Sequence, residues 1–284
     1  MRTSLIATAA IAAIAMASCG EKQAESSADI SNFEISETYK TAWATYLRVD
    51  DSTFGDNVQV YSQAAISIQW PNKYGDNDIS CLQDSLIANV FGFTGVSVDQ
   101  AISDYVAQPL GYGDFELLKV EDPDPEGVTL LQSVSVHTVG FCERYIVYKI
   151  TEFENNGGAH PVYASKFLNY DIRRNQVLEF SDIFVADSEQ ALLDAITAEL
   201  LDMYFSADLE ELEEKSGIFT DQIFLTDNIY ITGSDIVFFY NPYDIAPWAV
   251  GAIEVPLHEY DLEDILTPEA KALFWWNDTQ IAEN

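Results

Sequence analysis

Two short stretches of this sequence concentrate residues that could bind or react. One is Asn155-Asn156-Gly157-Gly158-Ala159-His160-Pro161, after a run rich in aromatic and β-branched residues. Adjacent glycines admit positive φ and let a backbone come close to a partner. The imidazole of His160 is the most suitable general base in the chain. The other stretch runs from Tyr240 to Gly251 and carries Tyr240, Tyr243 and Trp248 with Pro242 and Pro247. Rings and prolines lose little conformational freedom on binding, so a loop of this composition suits recognition. Gly157, Gly158, His160, Tyr243, Pro247 and Trp248 are therefore the candidate partner-binding residues.

Other chemistry lacks its residues. The 3 histidines, His137, His160 and His258, are too far apart in sequence to read as a zinc motif. G-x-S-x-G, the P-loop and G-x-G-x-x-G are missing, so hydrolase-elbow, nucleotide-triphosphate and dinucleotide readings have no support. Carboxylate pairs are abundant, but 47 Asp and Glu guarantee coincidences. Asp122-x-Asp124-x-Glu126-Gly127 resembles the start of a calcium loop, yet Ser133 stands where the closing Glu belongs, and the solvated-turn reading is preferred. No catalytic residue, metal or cofactor is assigned. Cys81 and Cys142 form an even pair, compatible with one disulfide in an oxidising compartment or with two buried thiols.

Charge sets the class of partner. Against 47 Asp and Glu there are 13 Lys and Arg, a formal net charge of −34. Such a chain repels phosphate backbones, which excludes nucleic acid, and attracts cationic partners. With 48% hydrophobic residues, a sizeable core is available.

The N-terminus carries an address. Arg2 precedes an uncharged apolar run from Leu5 to Ala17, too short to span a bilayer comfortably and suited to a signal peptide over residues 1–18. Met16-Ala17-Ser18-Cys19 resembles the lipobox of bacterial lipoproteins, which implies cleavage before Cys19 and acylation of its sulfur. Gly20 follows, so outer-membrane anchoring is expected, on the periplasmic or the surface face. Residues 19–35, rich in Glu, Ser and Ala, read as a flexible tether, and 276–284 as a tail.

Hydrophobic periodicity places the elements that must position the two loops. Asn32 to Leu47 is an entry segment, followed by a strand over Val58 to Trp70 that Pro71 closes. Helices are expected over Ile79 to Val90, capped by Asp78, and over Val98 to Gln108. Strands follow at Phe115 to Val120, Val128 to Thr138, Glu143 to Glu152, Val162 to Ile172 and Val177 to Phe180. In the third of these Ile146, Tyr148 and Ile150 take one face and Tyr145, Val147 and Lys149 the other. Helices return at Gln190 to Phe205 and Ala207 to Ser216. Strands at Gln222 to Thr226, Asn228 to Ile231, Asp235 to Tyr240 and Ala252 to Leu257 and a short helix at Tyr260 to Leu266 complete the order. Hairpin spacing makes this an α+β fold, a mostly antiparallel sheet with helices on one side.

The Gly-Gly-Ala-His-Pro turn, Asn169-Tyr170-Asp171, Phe180-Ser181-Asp182-Ile183-Phe184 and the run Tyr243-x-Ile245-Ala246-Pro247-Trp248-Ala249-x-Gly251 together resemble the extracytoplasmic domain shared by the anti-sigma factor RsiV and the peptidoglycan deacetylase PdaC. The resemblance covers Ser36 to Phe274 and implies a PdaC-like region over 36–172 and an RsiV-like region over 173–275. In RsiV this domain is a lysozyme receptor. Here Cys19 and a tether replace the transmembrane helix and the sigma-binding segment, and no deacetylase domain or its His-rich metal motif is present, so catalysis is not carried over.

The expected function is thus a non-catalytic envelope lipoprotein that binds a cell-wall-related partner, a basic protein such as lysozyme or a glycan. The alternatives are an envelope hydrolase using His160 and a structural envelope protein. Cys19→Ala is expected to abolish incorporation of a fatty-acid analogue in metabolic labelling; label retained by the variant refutes the lipoprotein reading.

Overall fold

The structure is a computed structural model and describes residues 35–75, 77–109 and 115–274. The signal segment, Cys19, the tether up to residue 34 and the tail lie outside these residues. Among them no helix is long and apolar enough to cross a membrane.

The architecture follows from one strand buried on both sides. In β5 (Tyr145–Asn155), Ile146, Tyr148 and Ile150 enter one hydrophobic core, whereas Tyr145 and Val147 enter a second. This is the split that the alternation of the sequence predicts, and it makes β5 the shared wall of two cores. Around it lie β1 (Ile35–Val49), β2 (Val60–Tyr74), β3 (Glu116–Val120), β4 (Val128–Phe141), β6 (Val162–Asp171) and β7 (Gln176–Val177). They form a seven-stranded sheet in the order β3-β1-β2-β4-β5-β6-β7. All its pairs are antiparallel except β2 with β4.

The first core is closed by α1 (Ser80–Phe91) and α2 (Val98–Ala107), whose Leu82, Leu86, Ile87, Ala101 and Ile102 pack on Ile66, Ile68, Val134 and Val136 of the sheet. Ser97 caps α2 by accepting from the Gln100 N–H, and Gly92 ends α1 in the left-handed region. The second core holds a three-stranded antiparallel sheet, order β10-β9-β8, made of β8 (Ile229–Ile231), β9 (Asp235–Tyr240) and β10 (Ile253–His258). Behind it come Leu192, Ile196 and Leu200 of α4 (Glu189–Met203) and Leu212 of α5 (Leu209–Ser216). Two short helices, α3 (Phe180–Ile183) and α6 (Pro268–Lys271), are joined through Thr267, whose hydroxyl donates to the Asp182 carbonyl at 2.6 Å.

The two sheets meet through asparagine amides. Beyond its short pairing with β7, β6 turns an edge toward the small sheet. Asn228 accepts from the Phe167 N–H at 3.2 Å and donates to the Ser165 carbonyl at 2.8 Å. Asn241 accepts from the Ser165 N–H at 2.6 Å and donates to the same carbonyl at 3.1 Å. In return Asn169, buried in β6, donates to the Ile229 carbonyl at 2.7 Å and accepts from the Ile231 N–H at 3.0 Å. Each carboxamide presents one donor and one acceptor, as a peptide unit does, and so stands in for the strand that is missing.

The α+β class and the mostly antiparallel sheet hold, and individual elements differ from the expectation. Helices α1 and α2 close one face of the large sheet, and the small sheet covers part of the other. The entry segment is the long strand β1; its Tyr39 and Trp43 point to solvent, which hides the usual alternation. β2 continues through Pro71, where a register shift at Ser36/Glu37 of the partner strand accommodates the ring. Residues 222–226 are not a strand and Tyr260–Leu266 is a set of turns. The candidate disulfide is absent: Cys81 and Cys142 are free thiols, the first packed against the core under α1 and α2 and the second against the core of the small sheet.

Asn169→Ala is expected to lower stability by about 3 kcal/mol in urea denaturation, because it strands two buried backbone groups at once. Asn169→Asp keeps the acceptor, loses the donor and should also be destabilising.

Candidate functional site

The β5–β6 hairpin brings the glycine turn to one end of the sheet, and the loop after β9 arrives beside it. Gly157 has φ +74°, and a side chain there would collide with the Phe54 ring at 2.5 Å. Glycine is therefore demanded twice, by conformation and by contact. Gly158 is exposed and meets no such wall, so the turn needs only one of its two glycines for space.

Asn241, which caps β6, begins the second loop. Its N–H donates to the Asp244 carboxylate at 2.6 Å, and the Asp244 N–H donates to the Asn241 carbonyl at 3.0 Å. This ring of bonds, with the Tyr243 N–H donating to the Ala246 carbonyl at 3.1 Å, holds Tyr243 at φ +77°. A tyrosine adopts that conformation only where its surroundings enforce it. Ile245 and Ala246, and not the rings, plug the core at the end of the small sheet. The sequence analysis singles out the rings and prolines of this loop and passes over these two. An apolar pair inside an aromatic loop was the available signal.

The loops converge on His160. Its Nδ1 lies 2.9 Å from the Pro161 carbonyl and its Nε2 lies 3.0 Å from the Tyr243 hydroxyl. With Nδ1 donating to that carbonyl, Nε2 accepts a hydrogen bond from the Tyr243 hydroxyl. Trp248 stacks on the imidazole, ring centroids 4.2 Å apart and planes at 19°. Tyr243 is 56% exposed, whereas Trp248 and Pro247 are half-buried. The indole Nε1 of Trp248 points inward and has no hydrogen-bond partner among the described residues. Five of the six candidate residues thus belong to one surface cluster, Gly157 by shaping the turn, His160, Tyr243 and Trp248 by direct contact, and Pro247 by capping the short helical turn at Trp248–Val250.

Both imidazole nitrogens of His160 have partners, and neither is a carboxylate. Among the described residues no group of three or more His, Cys, Asp or Glu could hold a metal ion. Asp124 accepts from the Glu126 N–H of its own turn at 2.9 Å.

A cleft of about 550 Å³ runs along the edge of β6, lined by Asn89, Glu152, Lys166, Phe180, Asp227 and Asn228 among others. Its amides Asn228 and Asn241 are already used by the β6 backbone, and Lys166 faces Glu152 at 3.9 Å. Displaced titrations lie elsewhere. Burial, and then the Lys149 ammonium, push the His137 imidazole below its ordinary value. Burial raises the Glu37 carboxyl, opposed by hydrogen bonds from Tyr148 and Gln69. Neither residue lines the cleft, nor does His160.

Residues 181–259 match the family described as "Protein of unknown function (DUF3298)". No curated protein matches the chain. Two solved structures share the fold. One, a member of the DUF3298 family from Bacteroides fragilis, is 23% identical, with a TM-score of 0.65 over 83% of this chain and 95% of that one. The other, a DUF3298 family protein from Pseudomonas aeruginosa, is 13% identical, with a TM-score of 0.56 over 83% of this chain and 96% of that one. The matched segment begins inside α3 and ends just after β10, so it contains the small sheet, its helices and the Tyr243–Trp248 loop. In sequence over this segment, and in fold over most of its length, the chain is similar to DUF3298 family proteins.

Proposed function

We propose that the protein is a non-catalytic, lipid-anchored receptor of the cell envelope, of the RsiV/PdaC-like kind, that captures a basic cell-wall-related protein such as a lysozyme-like hydrolase. The observation that carries this reading is the His160–Tyr243–Trp248 cluster. Two loops distant in sequence present an exposed tyrosine braced by a histidine that is itself stacked on a tryptophan. A braced ring loses little freedom on binding, which is the property of a hot-spot residue. A net charge of −34 supplies the attraction that would bring a basic partner to it.

The anchor rests on Cys19 and its preceding apolar run, and outer-membrane attachment on the residue that follows. The hydrolase alternative finds less support, since the partners of the His160 nitrogens are a carbonyl and a hydroxyl and His160 does not line the cleft of about 550 Å³.

Calorimetry with lysozyme at two ionic strengths tests the reading. Binding is expected to be tighter at low salt, where exposed charges are least screened. Tyr243→Ala should weaken it by about 1–2 kcal/mol while leaving the melting temperature nearly unchanged. Trp248→Ala should weaken it by about 2 kcal/mol and also lower stability, because the indole is half-buried. Absence of binding at low salt would refute the lysozyme form of the proposal.

A further inference from the structure

The large sheet is not covered over its whole extent. α1 and α2 close one face, and on the other the small sheet reaches only β5 and β6. On the rest of that second face Tyr39, Thr41 and Trp43 are exposed and Ser67, Ser135 and Thr151 partly so, while Ser133 between the rings is buried. The cross-strand register of this face sets side chains in rows. Trp43 stands beside Ala65, then Ser133, then Phe153. Thr41 stands beside Ser67, then Ser135, then Thr151. Tyr39 and Trp43 on the outer strand are 67% and 63% exposed, high values for large rings. Between them and Phe153 lies a floor of hydroxyl-bearing and methyl side chains about 14 Å across, three strand spacings.

The charge of this face is the second observation. The chain carries 47 carboxylates, yet from Tyr39 to Thr45 on β1 and across the facing residues of β2, β4 and β5 there is none. On β5 the acids Glu152 and Glu154 point to the other side, where they raise the Tyr105 pKa of α2. At one end of that face His137 and Lys149 sit side by side, and Lys149 lies over the rings of Phe167 and Phe239.

We propose that this face binds an uncharged polysaccharide strand. A basic protein would be drawn to carboxylates, which are lacking here. An anionic chain would be repelled by the molecule as a whole, and so would a second copy, at −34 each. A neutral, hydroxyl-rich chain matches what the face offers: flat rings for the C–H faces of sugars and a bed of hydroxyls and amides for their polar rims. The inference shares with the proposed function the idea of an envelope binding protein, but it uses a different surface and does not need the His160 cluster.

Electrophoresis of the protein through gels containing hydroxyethyl cellulose or glycol chitin tests it, with calorimetry on cellohexaose and N-acetylchitohexaose. The protein should be retarded by at least one polymer and bind the matching oligomer, with an affinity that changes little between low and high salt. Trp43→Ala and Tyr39→Ala should each weaken binding roughly tenfold without moving the melting temperature. Phe93→Ala, which removes an exposed ring on another part of the surface, should have no effect. No retardation in either gel overturns the proposal, as does retardation that Trp43→Ala leaves intact. Sedimentation showing a dimer that Trp43→Ala dissociates assigns the face to a second copy and overturns it as well. Lysozyme binding that persists while sugar binding fails leaves the proposed function standing alone.

Discussion

Three asparagine side chains decide how this molecule is assembled. The edge of β6 beyond β7 exposes peptide groups that must find partners, since a buried backbone donor or acceptor without one costs about 1–3 kcal/mol. A further strand would supply them, but it would also extend the sheet and leave a new edge. Asn228 and Asn241 end it instead, taking both groups of Ser165 and the N–H of Phe167. Asn169 makes the reciprocal contact with β8. The small sheet is thereby tied to the large one without becoming its continuation, and the backbone groups of Ser165 and the Phe167 N–H are no longer open to a foreign strand.

The candidate recognition cluster inherits its geometry from that joint. Asn241 is bound to Ser165 of β6, and two residues later comes Tyr243; four residues before Ser165 stands Pro161, the acceptor for His160. The tyrosine hydroxyl therefore meets the imidazole because the two backbones that carry them are already tied. Gly157 completes the arrangement by letting its turn pass the Phe54 ring. Local strain at Tyr243 is held by hydrogen bonds within its own loop, which gives the ring a defined direction.

The distribution of charge divides the surface into regions of different chemistry. Carboxylates dominate the chain, and a few are committed internally, such as Asp51, which pairs with Arg48 at 3.2 Å in an almost fully buried site. Across the strands β1, β2, β4 and β5 the helix-side and opposite-side residues differ in kind, with Glu152 and Glu154 on the former and Thr151 and Phe153 on the latter. A strand has two sides with independent compositions, so one chain can be acidic as a whole and still carry a neutral face.

Local chemistry was enough to read much of this structure. Alternation divided β5 between two faces, periodicity placed α1 and α2, and the composition of the Gly157 turn and the Tyr243–Trp248 loop marked them as unusual. Such signals act over a few residues, through backbone conformation and side-chain period, and they survive without tertiary context. Long-range pairing does not. The parallel register of β2 with β4, the exposure of Trp43 that disguised β1, the two different cores that keep Cys81 from Cys142, and the meeting of His160 with residues beyond position 240 all depend on which elements pack together. The reason is energetic: these arrangements are chosen by burial of whole faces and by satisfaction of peptide groups on the β6 edge. Asparagines at positions 169, 228 and 241 have no distinctive local pattern until the sheet that needs them exists.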